Sequence, residues 1–207
     1  MSNKGELTRQ KIIGEAIQLF CLKGYFNTSI DDIIKAAGLT KGGLYGHFRN
    51  KEEIWYAAYD ESVRIWKSVV LQGVRDIPDP LTRIERVVEN SLKNYLGAGI
   101  FAGGCFLLNS LVELAGQSPA MSRHVLQGFE AFSGLLRRWT EEAESQGRLK
   151  DGLNLDEIAD FIVVALNGAI PLYAASKDPL VWQRTMAQLY FYLNTLKKPE
   201  RRPHYGA

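Results

Sequence analysis

The sequence predicts an all-α fold of about nine helices, a small N-terminal domain followed by a larger helical one. Three observations carry that prediction. Helix punctuation recurs from end to end, as N-cap residues, Pro in a first turn and terminal Gly. Apolar residues repeat at the spacing of a buried helix face. No run of about four to eight alternating β-branched or aromatic residues stands between turn signals.

The first helix is expected from about Leu7 to Lys23, where Ile12, Ile13, Ala16, Ile17 and Phe20 share a face and Gly24 stops it. The stretch Thr28 to Glu53, TSIDDIIKAAGLTKGGLYGHFRNKEE, then reads as a short helix, a tight turn, a second short helix and the opening of a third. Ser29 or Thr28 caps the first of these, each with an Asp three residues on, Asp32 or Asp31. Ile30, Ile33, Ile34 and Ala37 give that helix its apolar face. Gly38 sits where a helix ends in a left-handed residue, which glycine adopts without strain. Thr40 caps the next helix, which carries Lys41, Tyr45 and His47 and turns Leu44 and Phe48 inward. Two helices joined by a short Gly-containing turn make a helix-turn-helix, whose second helix enters the major groove of DNA.

Asn50 and Glu53 open a long helix to about Gly73, carrying Ile54, Ala58, Ile65, Trp66 and Val70. Pro78-Asp79-Pro80 breaks it, and another helix runs from Leu81 to Leu96. Gly97 to Gly104 is a flexible connector, followed by a short apolar helix from Cys105 to Ala115. Ser118-Pro119 opens a long helix ending near Gly147. Asn154 with Glu157 caps the next, to about Ala175, with a kink expected at Pro171. Asp178-Pro179 caps the last, which ends near Leu196. The domains are expected at residues 1–50 and 51–198, with 199–207 a mobile tail.

Composition narrows the function. The net charge of +2 is uneven: residues 1–50 hold seven Lys/Arg against four acids, and the remainder 18 against 19. Positive potential thus gathers on the segment with the helix-turn-helix, which suits phosphate contact. Two cysteines, Cys21 and Cys105, make neither a disulfide framework nor a metal site, and no cofactor is expected. The first ten residues are polar and charged, unlike a signal peptide. The longest apolar run, Phe161 to Ala175, is interrupted by Asn167 and Pro171 and is shorter than the ~20 residues that span a bilayer. A soluble, cytoplasmic protein is expected. None of His47, His124 and His204 neighbours a plausible nucleophile, and no phosphate loop or dinucleotide fingerprint occurs, so an enzyme is not expected.

The pattern S-I-D-D-I-x-x-A-A-G-L-T-K-G-G-L-Y-x-H-F-x-N-K-E-E-I, behind an N-terminal helix, resembles the DNA-binding domain of the tetracycline-repressor (TetR) type of bacterial regulator. The match covers about Thr8 to Trp55, and A-A-G-L-T, L-Y-x-H-F and N-K-E-E at this spacing are far more specific than a generic helix-turn-helix. The later helices agree with that family's second domain in count and length, with a weak motif. The resemblance implies a homodimer joined through its last two helices, a near-palindromic double-stranded operator, and a small-molecule pocket in the second domain. It assigns Thr28 and Ser29 to a phosphate at the start of helix two. Thr40 would cap helix three and contact phosphate, and Lys41, beside the bare backbone of Gly42, would reach a guanine edge. Tyr45 and His47 would bond the DNA backbone, and Lys51 a phosphate from helix four.

Two departures stand out. Ile34 occupies a position that is usually small in the family. Gly42, Gly43 and Gly46 each cost roughly 1 kcal/mol of helix stability relative to Ala, so helix three depends on packing through Leu44 and Phe48. Direct base reading then rests chiefly on Lys41 and Tyr45, with backbone approach or DNA shape supplying the rest.

In the second domain the candidate pocket residues are Trp66, Phe101, Cys105, Asn109, Phe132 and Asn167, among aromatics that core packing otherwise explains. Cys105 starts a helix, where the dipole favours a reactive thiolate, and Asn109 lies one turn on. The opposed reading is a small buried residue filling space. Apolar stripes on the last two helices, through Ile158, Phe161, Ile162, Ala165, Ala169 and Leu172 and through Leu180, Ala187, Tyr190 and Leu193, suit either the monomer core or a partner, and the resemblance favours a partner. The expected function is a ligand-responsive transcriptional repressor, released from DNA by a small molecule or by cysteine modification. An activator is the alternative within the class, and an all-α small-molecule-binding protein with a vestigial helix-turn-helix is the rival outside it.

Overall fold

The computed structural model describes residues 3–199. Its helices are α1 (Asn3–Lys23), α2 (Ile30–Ala37), α3 (Lys41–Tyr45), α4 (Lys51–Val70) and α5 (Pro80–Glu89), which continues as a π-helix (Asn90–Leu96). They are followed by α6 (Phe106–Leu114), α7 (Pro119–Ser145), α8 (Leu155–Ser176) and α9 (Leu180–Leu196). Among the described residues no strand forms, and Leu149 and Lys197 make one isolated bridge. The all-α expectation of about nine helices holds.

Most starts follow from side-chain caps written in the sequence. Asn50 accepts from Glu53 N, Asp79 from Thr82 N, and Asn154 from the amides of Asp156 and Glu157. Ser118 holds its N-cap position without a side-chain bond, and there Pro119 at the first turn carries the start.

The helix expected from Leu81 to Leu96 changes character at Asn90, where the backbone widens to i→i+5 bonding and Gly97 N donates to Leu92 O at 2.9 Å. The buried Asn90 accompanies the change. Its Nδ2 donates to Val70 O (3.0 Å) and Gln72 O (3.1 Å), and its Oδ1 accepts from Asn94 Nδ2 (2.8 Å). The side chain thus finishes the C-terminal end of α4, whose last carbonyls have no helical partner.

One apolar core runs through the described helices, from Ile12 to Leu196. Trp55 of α4 is fully buried, stacked on Tyr59 at 5.7 Å and 6.3 Å from Phe106 of α6, and Phe20 of α1 lies 6.5 Å from the same ring. The N-terminal helices therefore sit on α4 and α6 rather than hanging from a linker. By length and a mean hydropathy of 1.7, α8 alone among the described helices could cross a membrane. Here it packs against α7 and α9 and carries Pro171 within its last turns.

The chain after α9 is fastened where it starts. Lys197 Nζ pairs with Glu85 (2.8 Å), Lys198 Nζ with Asp151 (2.8 Å), and Lys198 N donates to Arg148 O (2.9 Å). The expected mobile tail, 199–207, falls outside the described residues after Pro199, as does His204.

Replacing Asn90 with Ala would strand the carbonyls of Val70 and Gln72 and cost about 1–3 kcal/mol. Urea denaturation should show that loss as a lower midpoint with an unchanged slope. A variant as stable as the parent would contradict the role given to Asn90.

Candidate DNA-binding head and effector cavity

The head is built on the loop that leaves α1. Gly24 follows Lys23 at φ +81°, and a Cβ there would collide with the carboxylate of Glu113, which arrives from α6. That carboxylate accepts from Tyr25 N (2.7 Å) and Phe26 N (3.0 Å). From the other side Lys51 Nζ donates to Tyr25 O (2.7 Å) and Thr28 O (2.9 Å) and lies 4.3 Å from the Tyr25 ring centroid. Burial pulls the Lys51 ammonium below its ordinary value, and Glu113 acts in the opposite direction. The loop is gripped between an acid of α6 and a base of α4.

This geometry corrects two site expectations. Thr28 is buried, and its hydroxyl donates to Gly24 O at 2.6 Å, so it holds the loop instead of facing a phosphate. Lys51 spends two of its three donors on loop carbonyls, because an ammonium this buried needs near acceptors.

Ser29 is the N-cap of α2. Its Oγ accepts from Asp32 N (3.0 Å) while Asp32 Oδ2 accepts from Ser29 N (2.9 Å), so of the two possible capping boxes Ser29–Asp32 forms. These bonds hold the Asp32 carboxyl below its ordinary value. Gly38, at φ 63° and ψ 40°, ends α2, and Leu39 N closes the turn on Ile34 O at 3.0 Å. Thr40 Oγ1 accepts from Gly43 N (3.1 Å) and starts α3.

α3 is only five residues long, shorter than the helix expected through Phe48. Gly46 ends it, and His47 sits in the following turn with its N–H on Leu44 O (2.9 Å). His47 is therefore not on the recognition helix, a consequence of three glycines in seven residues. Leu44 and Phe48 are fully buried and anchor the segment, with Arg9 5.0 Å from the Phe48 ring centroid.

Ser29, Thr40, Lys41, Gly42 and Tyr45 stand exposed. The Lys41 side chain is 73% exposed, and its ion pair with Asp31 at 3.4 Å is a weak surface contact that DNA can replace. The sequence reading passed over Arg49, exposed just before the Asn50 cap, and Glu113, a lone acid in an apolar helix.

The second domain contains a cavity of about 370 Å³. α4 lines it with Tyr59, Val63, Trp66 and Lys67, and α7 with Phe129, Phe132, Leu135 and Arg138. Ser91 and Tyr95 of the π-helix, Cys105 and Leu107 at the start of α6, and Leu166 and Asn167 of α8 complete it. Trp66 and Phe132 meet edge-on at 4.9 Å. Asn167 Nδ2 is used on Val163 O at 2.7 Å.

Of the pocket residues expected from sequence, Trp66, Cys105, Phe132 and Asn167 line the cavity, and Phe101 and Asn109 do not. Phe101 is buried against the edge of the Tyr95 ring at 6.0 Å. Asn109 Nδ2 donates to Gly103 O (2.9 Å) and Cys21 O (3.3 Å), tying α6 to α1.

Cys105 also departs from expectation. Hydrogen bonds from Tyr95 OH (3.4 Å) and the amides of Leu107 and Leu108 pull the thiol pKa down, but burial outweighs them and leaves it raised. Burial, with Cys105 close by, pushes Cys21 up to about 12. Both thiols are protonated at neutral pH, so the helix dipole does not deliver a thiolate here.

A family profile described as "Bacterial regulatory proteins, tetR family" matches residues 12–58, and one described as "Tetracyclin repressor-like, C-terminal domain" matches residues 80–189. The chain belongs to the TetR family. Within TetR proteins it is 28% identical over 165 residues to the transcriptional repressor DhaR of a Mycobacterium species, covering 78% of this chain and 80% of that one. A TetR regulator from Chloroflexus aurantiacus superposes with a TM-score of 0.84 at 27% identity, covering 94% of this chain and 98% of that one. AibR, solved with isovaleryl coenzyme A and operator DNA, shares the TetR fold at a TM-score of 0.70 and 22% identity, covering 93% and 99%. As a TetR-family helix-turn-helix regulator the chain is a DNA-binding protein and not an enzyme.

Lys41→Ala should weaken operator binding by about 1–3 kcal/mol, read by gel retardation. Thr28→Val should instead cost about 1–3 kcal/mol of folding stability and leave the operator affinity of the folded protein at fixed salt unchanged. Weaker operator binding by the folded Thr28 variant at fixed salt would restore it as a phosphate contact.

Proposed function

We propose that this TetR protein is a cytoplasmic dimeric repressor whose hold on a near-palindromic operator is released when a small molecule fills the cavity. The observation that carries the reading is that one helix serves both sites. The first residue of α4, Lys51, grips the loop beneath the reading head, and Tyr59, Val63, Trp66 and Lys67 of the same helix line the cavity. A second connection runs through α6, which lines the cavity at Cys105 and Leu107 and holds the head at Glu113. An occupant that shifts α4 against α6 moves the two grips on residues 25–28 relative to each other. A coupling of about 1–3 kcal/mol between ligand and operator is enough to act as a switch.

Dimerisation is supported by an apolar face that no described residue covers. Phe161, Val164 and Leu172 of α8 and Phe191 of α9 are each about half to two-thirds exposed, beside a groove that includes Ala165, Gly168 and Thr195. Two heads joined this way would read successive major grooves about 34 Å apart, with Ser29, Thr40, Lys41, Gly42 and Tyr45 on the DNA. The raised thiol of Cys105 favours occupancy of the cavity over cysteine modification as the signal.

Gel retardation on the DNA upstream of its own gene, across a salt series, tests the reading. Tight, salt-sensitive, specific binding is expected; its absence would leave a small-molecule-binding protein with a vestigial helix-turn-helix. Phe161→Glu with Phe191→Glu should give a folded monomer by light scattering that binds the operator at least about tenfold more weakly. Glu113→Gln should retain ligand and operator binding separately while the coupling between them falls. Unchanged ligand-induced release in that variant would remove the α6 route.

A further inference from the structure

We infer that the cavity takes an organic anion, with an apolar and partly aromatic body and one carboxylate-like end. This rests on the ligand-responsive reading and adds the chemistry of the ligand.

The direction of the two main walls locates the polar end. Tyr59 OH lies 3.4 Å from His124 O, and the Trp66 ring lies 4.9 Å from that of Phe132, so α4 and α7 run side by side in the same direction. Following both toward their C-termini leads from Trp66 to Lys67 on one wall and from Phe132 to Arg138 on the other, and both cations line the cavity. Lys67 and Arg138, both exposed, thus stand on facing walls toward the C-terminal ends of the two helices.

The floor of that end comes from the π-helix. Asn90 is bonded to the carbonyls of Val70 and Gln72, which places Ser91 beside the close of α4. Ser91 lines the cavity, and its Oγ is buried without a hydrogen-bond partner among the described residues. A buried hydroxyl left unpaired costs about 1–3 kcal/mol, so its site favours an occupant that bonds it.

Two cations and an unused hydroxyl therefore line the cavity toward the C-terminal ends of α4 and α7, and no carboxylate among the described residues lines it. Nearby acids are held by other bases, Glu89 by Arg86 and Lys93 and Glu142 by Arg83. Among the described residues neither Lys67 nor Arg138 is in an ion pair. Elsewhere the wall is neutral: Trp66, Phe129 and Phe132 are apolar, and Tyr95 and Cys105 bond each other. An organic cation would meet two like charges with no counter-charge. A carboxylate would accept charge-assisted bonds from both bases and a further bond from Ser91.

Calorimetric titration of the DNA-free protein with 4-phenylbutanoate, 4-phenylbutanamide and 4-phenylbutylamine, and with the corresponding decyl compounds, tests the assignment. In at least one series the acid should bind about tenfold tighter than the amide, and the amine weakest. Lys67→Met and Arg138→Met should each remove about tenfold from the acid and leave the amide unchanged. Equal affinity for acid and amide, a preference for the amine, equal weakening of both by the variants, or no binding of any compound overturns the inference. Operator binding is measured separately by gel retardation. Operator binding without the anion preference discards the ligand class alone, and anion preference without operator binding discards the regulator reading alone.

Discussion

The constraint on which the molecule turns is the grip on residues 24–28. A chain leaving a helix exposes amides and carbonyls that must find partners. Here the partners come from other elements: Glu113 of α6 takes the amides of Tyr25 and Phe26, and Lys51 of α4 takes the carbonyls of Tyr25 and Thr28. Each charge arrives with hydrogen-bonding partners, which is what makes a partly buried charge tolerable. Ser29, the cap of α2, begins one residue beyond, so the reading head inherits its orientation from two helices of the second domain.

The second domain is organised by a different compromise. Asn90 spends its amide on the end of α4 while the backbone of the following segment opens into a π-helix. That widening is accompanied by Ser91 and Tyr95 on the cavity wall, one unpaired and one bonded to Cys105. Rows of apolar residues on α4 and α7 then enclose a space that no side chain of the described chain fills. Both helices continue past it, α4 to the head and α7 to the Arg83–Glu142 pair with α5.

Much of this was legible in the residues. Ser29, Thr40 and Asn50 announce their helices because a short oxygen-bearing side chain before an apolar period has one efficient use. Gly38 announces the turn through its left-handed backbone. What could not be read was the destination of side chains with several possible partners. Lys51 looks like a phosphate ligand until the loop carbonyls are placed beside it. Thr28 looks like Ser29 until one is buried and the other is not. Cys105 occupies the N-cap position that favours a thiolate, yet desolvation, which depends on distant neighbours, decides its state.

The sequence by itself determined that the chain is helical, the order of its helices and the head that carries Lys41 and Tyr45, and its motif resembled one family closely enough to name it. The helices and their order depend on periodicity and on contacts a few residues apart, which a linear string records. Only the tertiary structure decided that the recognition segment is a five-residue helix excluding His47, that Glu113 and Lys51 hold it to the second domain, and that Lys67, Arg138 and Ser91 line one cavity. Those facts join residues as much as 88 positions apart, and their energies depend on burial that no local pattern encodes.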